Sequence, residues 1–441
     1  MAEIQPFRGI RFDPGHVGDL SNVITQPYDR IHTDEQARYY GLSPYNLARI
    51  IQGRRGPQDH AADNVYTRAA CYARTWHAEG VLQRDACPCI YVLDQTELTP
   101  DGSYRTRRGL SAALALTPFD EGTVLPHERT LSGPKADRLD LTRATEVHWG
   151  HVFILYPDDG RRVEALLEDA VASSAPLRAR EQVIESRVEQ RLWVIDGPQI
   201  IGAVCEELAP KRGLIIADGH HRYETALAFR DEMRERYPES APRAAFNYVL
   251  TTLVSMGDPG LVILPTHRLV HSYGRMSSEE FLDRTHGYFD VQRVTDRDAM
   301  EAALQGAERD RPRFGFYDGA HTILTLRDPT VMAQLLPERA PAWRLLDVTV
   351  LHELLIERVL GIDKDAVERH ENIHYVRDAS VGYSAVDVGE AEFFFVLNPT
   401  RMDQVRACAA AGERMPQKST DFYPKVVSGL VALPVGPAEQ L

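Results

Sequence analysis

Short apolar runs bounded by turn residues recur along the chain between stretches whose apolar positions follow a 3.6-residue period, which predicts interleaved strands and helices. Phe7–Phe12 alternates like an opening strand, and Cys89–Gln95, Arg105–Leu116 and Val152–Tyr156 read as further strands. Ala61, Val65, Ala69, Tyr72, Ala73 and Trp76 share one helical face between Gln58 and Glu79, and Val163–Ala175 and Gly202–Leu208 also read as helices. Leu214–Ala217 is an apolar run that ends in Asp218-Gly219, a strand followed by a turn. Tyr223, Ala226, Leu227, Arg230 and Met233 then set the register of a helix that Pro238 ends. Phe246–Ser255 and Leu261–Leu264 predict strands, Met300–Gly306 a helix, and Phe314–Tyr317 with His321–Leu326 a hairpin. Val348–Leu360 is the strongest amphipathic stretch, with Asp347 as its cap and Gly361 as its stop. Ala391–Leu397 and Val426–Val431 read as strands on either side of a polar loop, Met415–Lys425. The order predicts an α/β chain of mixed α+β character.

At 441 residues the chain is too long for one ordinary core, so two or three packed units are expected. The reading divides it into an N-terminal segment, 1–110, a central portion, 111–260, and a C-terminal segment, 261–441. The formal charge of −14 repels phosphate backbones and excludes wholesale nucleic-acid binding. Five cysteines with no repeated CxxC spacing point to a reduced, cytoplasmic chain. No apolar stretch reaches the roughly 18 residues of a membrane helix, and Met1–Phe12 carries charges where a secretory leader would be apolar. No motif speaks to oligomeric state.

Candidate chemistry gathers at two places. In Leu214–Arg222 a buried strand, a glycine turn and a helix N-terminus aim backbone N–H groups at one point, which attracts anions. Gly219 allows close backbone approach, while His220, His221 and Arg222 add donors and Asp218 either caps the helix or holds a magnesium ion. The second cluster is Leu125–Thr130 with Gly133–Arg138, where Glu128 offers a carboxylate for an acceptor hydroxyl and Lys135 and Arg138 offer charge balance. His267 and Arg268 after a strand, and Lys418 and Lys425 in a late loop, are further candidate contacts for phosphate or a substrate carboxylate.

Pro126-His127-Glu128 followed by Asp218-Gly219-His220-His221-Arg222 resembles the paired signature of the ParB/sulfiredoxin-like free serine kinases. The resemblance implies a ParB/sulfiredoxin-like central portion elaborated at both ends, with about ninety residues between the two motifs. It implies Glu128 as catalytic base with His127 beside it, the Asp218–Arg222 turn as the donor-phosphate site, and magnesium, with Asp218 as candidate ligand. It further implies free L-serine as acceptor, O-phosphoserine as product, and ATP, ADP or pyrophosphate as donor. The whole chain is also similar to the family called domain of unknown function 1015. That likeness runs from Pro6-Phe7-Arg8 and Pro27-Tyr28-Asp29, through Ile263–Arg268, to Met415–Thr420. A competing reading is a nucleotide-binding regulatory module that uses the same turn without transferring phosphate.

Other signals are set aside. His370-Glu371-Asn372-Ile373-His374 matches the HExxH zinc-hydrolase pattern, which works on a helix, but Ile373, Tyr375 and Val376 favour a strand. On a strand the two histidines stand about 13 Å apart, too far for one metal. The chain lacks P-loop and Rossmann glycine patterns, and His220 stands where sulfiredoxin chemistry needs a thiol.

Overall fold

The computed structural model describes residues 2–99, 102–128, 133–184, 187–306, 311–369 and 371–441. Residues 129–132 of the second cluster and His370 of the HExxH pattern lie outside the described residues. The chain forms a mixed α/β structure in two compact units. The first holds residues 1–126, 130–262 and 424–441, and the second holds 127–129 and 263–423.

The first unit is built on a nine-stranded mixed sheet. Its strands are β1 (Ile4–Gln5), β2 (Ile90–Leu98), β3 (Tyr104–Ala115), β4 (Val124–Pro126), β5 (Val152–Tyr156), β6 (Leu177–Arg180), β7 (Val188–Ile195), β8 (Leu214–Asp218) and β9 (Tyr248–Ser255). The order is β4-β8-β5-β9-β3-β2-β7-β6, with β1 on β3. Strands from both the 1–110 and 111–260 segments enter it. Helices α1 (Val65–Ala78), α2 (Gly133–Thr145), α3 (Arg162–Val171), α4 (Pro198–Leu208) and α5 (His220–Arg236) belong to this unit. β5 and β8 are apolar throughout their centres because both faces are covered, and Ile154, Leu214, Ile216, Tyr223 and Ala226 meet in one core. β8 runs parallel to β4, with Ile216 opposite Pro126, and antiparallel to β5, with a register shift between Ile216 and Asp218.

The second unit carries a six-stranded antiparallel sheet. Its strands are β10 (His267–Val270), β11 (Phe289–Arg293), β12 (Arg313–Tyr317), β13 (His321–Leu326), β14 (Ile373–Val376) and β15 (Phe393–Val396), in the order β11-β13-β12-β15-β10-β14. Phe281, Phe314, Phe316, Leu351, Leu355 and Phe395 pack in its core. The expected hairpin is β12–β13. His374 lies on β14, so the strand reading of that segment holds.

The expected amphipathic helix at 348–360 has a different form. Asp347–Val350 is a short α-helix that widens into a π-helix over Leu351–Val359, and the Leu360 N–H bonds the Leu355 carbonyl five residues back. Asp347 is the first helical residue and Leu346 the cap; Gly361, at φ 71°, ends the helix as expected. Val426–Val431 is buried but makes no strand; it is held by isolated pairings such as Ser428 with Thr25. An apolar run reports burial, and here no neighbouring edge extends the pairing.

Candidate functional site

Gly219 links β8 to α5 with φ 89°, a conformation that favours glycine, and a Cβ there would sit 3.0 Å from the Arg222 guanidinium carbon. No side chain caps α5, so Asp218 does not act as its cap. Instead the Asp218 Oδ2 accepts from Arg222 Nη2 at 2.6 Å, and Oδ1 stands 3.7 Å from Lys425 Nζ. Burial would push the Asp218 carboxyl up, but Lys425, Arg222 and His220 outweigh it and hold the group well below the usual carboxylate range. Burial likewise opposes the charge on Arg222, and Asp218, Asp29 and Tyr28 overcome it. Arg222 also donates to the His151 carbonyl. The fork expected to reach a ligand is therefore engaged with the protein, where it fixes the turn.

The uncapped N-terminal N–H groups of α5 thus lie beside a turn that carries Arg222 and Lys425 around an ionised Asp218. His221 is lowered by burial, and its Nδ1 is buried without a hydrogen-bond partner among the described residues. Lys135 pairs with Glu224 at 2.6 Å. Arg138 binds Asp137 and donates to the Ile51 carbonyl at 2.7 Å, while its guanidinium lies 3.9 Å from the Tyr28 ring centre. Arg138, Tyr28 and Arg222 line a cavity of about 50 Å³, together with His148 and Ser428. Sequence reasoning missed His148: both its ring nitrogens are buried without partners among the described residues, and burial lowers it to about 4. The polar Val147-His148-Trp149-Gly150-His151 stretch just ahead of β5 was the signal available.

Glu128 belongs to the second unit. Its Oε1 accepts from both the Thr420 N–H, at 3.0 Å, and the Thr420 hydroxyl, at 2.9 Å. His127, 1% exposed, has Nε2 2.6 Å from the same hydroxyl. A carboxylate only accepts, so the Thr420 proton points to Glu128 and His127 Nε2 donates to Thr420, a tautomer assigned from the network. Backbone pairing of Glu128 with Met415 fixes the segment.

His267 and Arg268 follow the short Val262–Leu264 strand and open β10, which runs between β14 and β15, but both are buried, at 4% and 0% exposure. His267 Nδ1 accepts from the Leu397 N–H at 3.1 Å. Arg268 donates to His352 Nε2 at 3.1 Å and to the Thr266 and Lys418 carbonyls, and burial lowers it to about 10. Lys418 contributes that carbonyl at φ 58° and leaves its side chain exposed. Among the described residues no three His, Cys, Asp or Glu side chains converge as a metal set. Asp218 is a single carboxylate already paired with two cations, so the residues present do not fit a protein-held magnesium ion.

No helix among the described residues is long and apolar enough to cross a membrane. A conserved hypothetical protein from Pyrococcus furiosus aligns at a TM-score of 0.32 and 11% identity, over 70% of this chain and 92% of that one. A free serine kinase in complex with AMP aligns at 0.32 and 11%, over 70% and 89%. SbnI with C-terminal truncation from Staphylococcus aureus aligns at 0.34 and 12%, over 73% and 86%. At these scores the likeness says nothing of activity. No curated protein matches the chain. The family model described as "Protein of unknown function (DUF1015)" matches residues 4–349, and the chain belongs to that family.

Proposed function

We propose that the chain is a small-molecule kinase that transfers a phosphoryl group from a nucleotide or pyrophosphate to the hydroxyl of free L-serine. One observation carries the reading: the uncapped N-terminus of α5 follows Gly219 in the left-handed region, with Arg222 and Lys425 holding an ionised Asp218 beside it. Donor phosphates would be met there by backbone N–H groups and by His220, with charge balanced by the two fixed cations. The acceptor identity and the base come from the motif resemblance, which gives Glu128 the serine proton. In the transfer the serine Oγ–P bond forms, the bond from phosphorus to the departing phosphate oxygen breaks, and the hydroxyl proton passes to the Glu128 carboxylate. Two hydrogen bonds from Thr420 hold that carboxylate in one orientation. Any magnesium would arrive with the donor's phosphates, since Asp218 alone does not build a metal site.

The second reading, a nucleotide-binding regulatory module, is favoured by the same Glu128 contacts, because a carboxylate satisfied by Thr420 also serves a purely structural role. A screen of ATP, ADP and pyrophosphate against hydroxyl acceptors, read by mass spectrometry, separates the two. O-phosphoserine formation supports the kinase. Donor binding with no phosphorylated acceptor moves the assignment to the regulatory module.

A further inference from the structure

We propose a second small-molecule site, wholly within the C-terminal unit, that takes an uncharged, planar nitrogen heterocycle of the purine class. It is a cavity of about 240 Å³ with Trp343 and Tyr375 in its lining, far larger than the roughly 30 Å³ share of one water. The π-helix over Leu351–Val359 brings His352, Glu353, Ile356 and Glu357 to it. A widened helix segment of this kind is rare and recurs at functional sites.

The polar groups specify the ligand. Thr349 lines the cavity at 1% exposure, and its hydroxyl has no hydrogen-bond partner among the described residues. A buried hydroxyl left in that condition is costly, and a ligand that bonds to it removes the cost. His352 is fixed in one tautomer by geometry. Arg268 Nε donates to its Nε2, a guanidinium has no lone pair to offer, and so the His352 proton resides on Nδ1. Burial, with Arg268 and Lys364 nearby, keeps that ring neutral by lowering it to about 3. His352 thus lines the cavity as a neutral ring that keeps its one proton on Nδ1, the form that can donate to a ring nitrogen or carbonyl.

Charge in the lining disfavours the phosphorylated alternative. Glu338, Glu353 and Glu357 face two cations, Arg339 and Lys364. Lys364 is held by Glu353 at 3.0 Å, and Arg339 by Glu413 at 2.8 Å. The net balance repels a phosphate, while Glu353 can accept from an exocyclic amine and the aromatic walls suit a flat ring. This site is independent of the Asp218–Arg222 turn and does not rest on the kinase reading.

The test uses the full chain and adenine, which carries no phosphate for the turn to hold. Calorimetry is expected to give saturable adenine binding, with hydrogen-exchange protection over 343–357 that AMP at the same concentration does not produce there. Thr349→Val keeps the side-chain volume and is expected to weaken adenine on the order of tenfold. No saturable binding of adenine overturns the proposal. So does AMP protecting 343–357 as strongly as adenine does, or an adenine affinity unmoved by Thr349→Val.

Discussion

Asp218, just ahead of α5, and Asp347, the first residue of its helix, are both largely withdrawn from water, yet their carboxyls are shifted in opposite directions. Lys425, Arg222 and His220 overcome the burial of Asp218 and keep it ionised. Burial pushes Asp347 up to about 7, with only Arg401 opposing. Burial is thus common to both, and the number of nearby cations decides the outcome. In the first region Arg222 and Lys425 hold an ionised Asp218 beside a helix N-terminus that no side chain caps. The second leads into a π-helix beside a cavity lined by Thr349, His352, Trp343 and Tyr375.

The largest expected break in this contrast comes from Arg222→Ala. It leaves Asp218 with Lys425 alone and removes the bond to the His151 carbonyl, so urea unfolding should show a loss of about 3 kcal/mol together with weakened pyrophosphate binding. Arg222→Lys should recover only part of either, because one ammonium cannot span both acceptors. A variant of unchanged stability would show that the pair does not fix the turn.

Gly219→Ala acts on the same turn through the backbone. A side chain at φ 89° is strained, and its Cβ meets the Arg222 guanidinium, so a loss of about 1–2 kcal/mol is expected in the same unfolding measurement. Full stability with intact pyrophosphate affinity would mean the close approach is unimportant.

The smallest effect tests the other aspartate. Asp347 titrates near 7 when folded against 3.8 in its ordinary state, so the folded chain binds the extra proton between those values. Its contribution to stability is complete below about pH 4 and is lost as pH rises through 7. Asp347→Asn cannot ionise, and its urea midpoint should fall less than that of the wild type between pH 4 and 7. An identical pH slope in the two proteins would contradict the contrast.

Much of the first region was legible in the sequence. The apolar runs of β5 and β8, the Asp218-Gly219 turn and the 3.6-residue face of α5 are local signals, and the structure reproduces them. The partner that completes the turn was not legible as such: Lys425 lies some two hundred residues away from Asp218, and only folding reveals which loop lysine meets it. β7 went unread because Gln190 puts a polar residue at a buried position between Glu189 and Arg191, and β6 because Leu177 and Ala179 are too short an apolar series to signal a strand. Arg268 read as a candidate contact for phosphate or a carboxylate, whereas it is buried and its neutral acceptors come from Thr266, His352 and Lys418. The π-helix has the same apolar spacing as an ordinary amphipathic helix at this length, so the cavity it helps line was invisible to periodicity.

The central claim is tested most directly by the rate of serine phosphorylation in the wild type and in Glu128→Gln, each with the donor that the screen selects. The substitution keeps size and most of the hydrogen bonding to Thr420 but removes the base. The account predicts that turnover falls by on the order of 10²–10⁴ while donor affinity is nearly unchanged. A Glu128→Gln protein that phosphorylates serine at the full rate would contradict it.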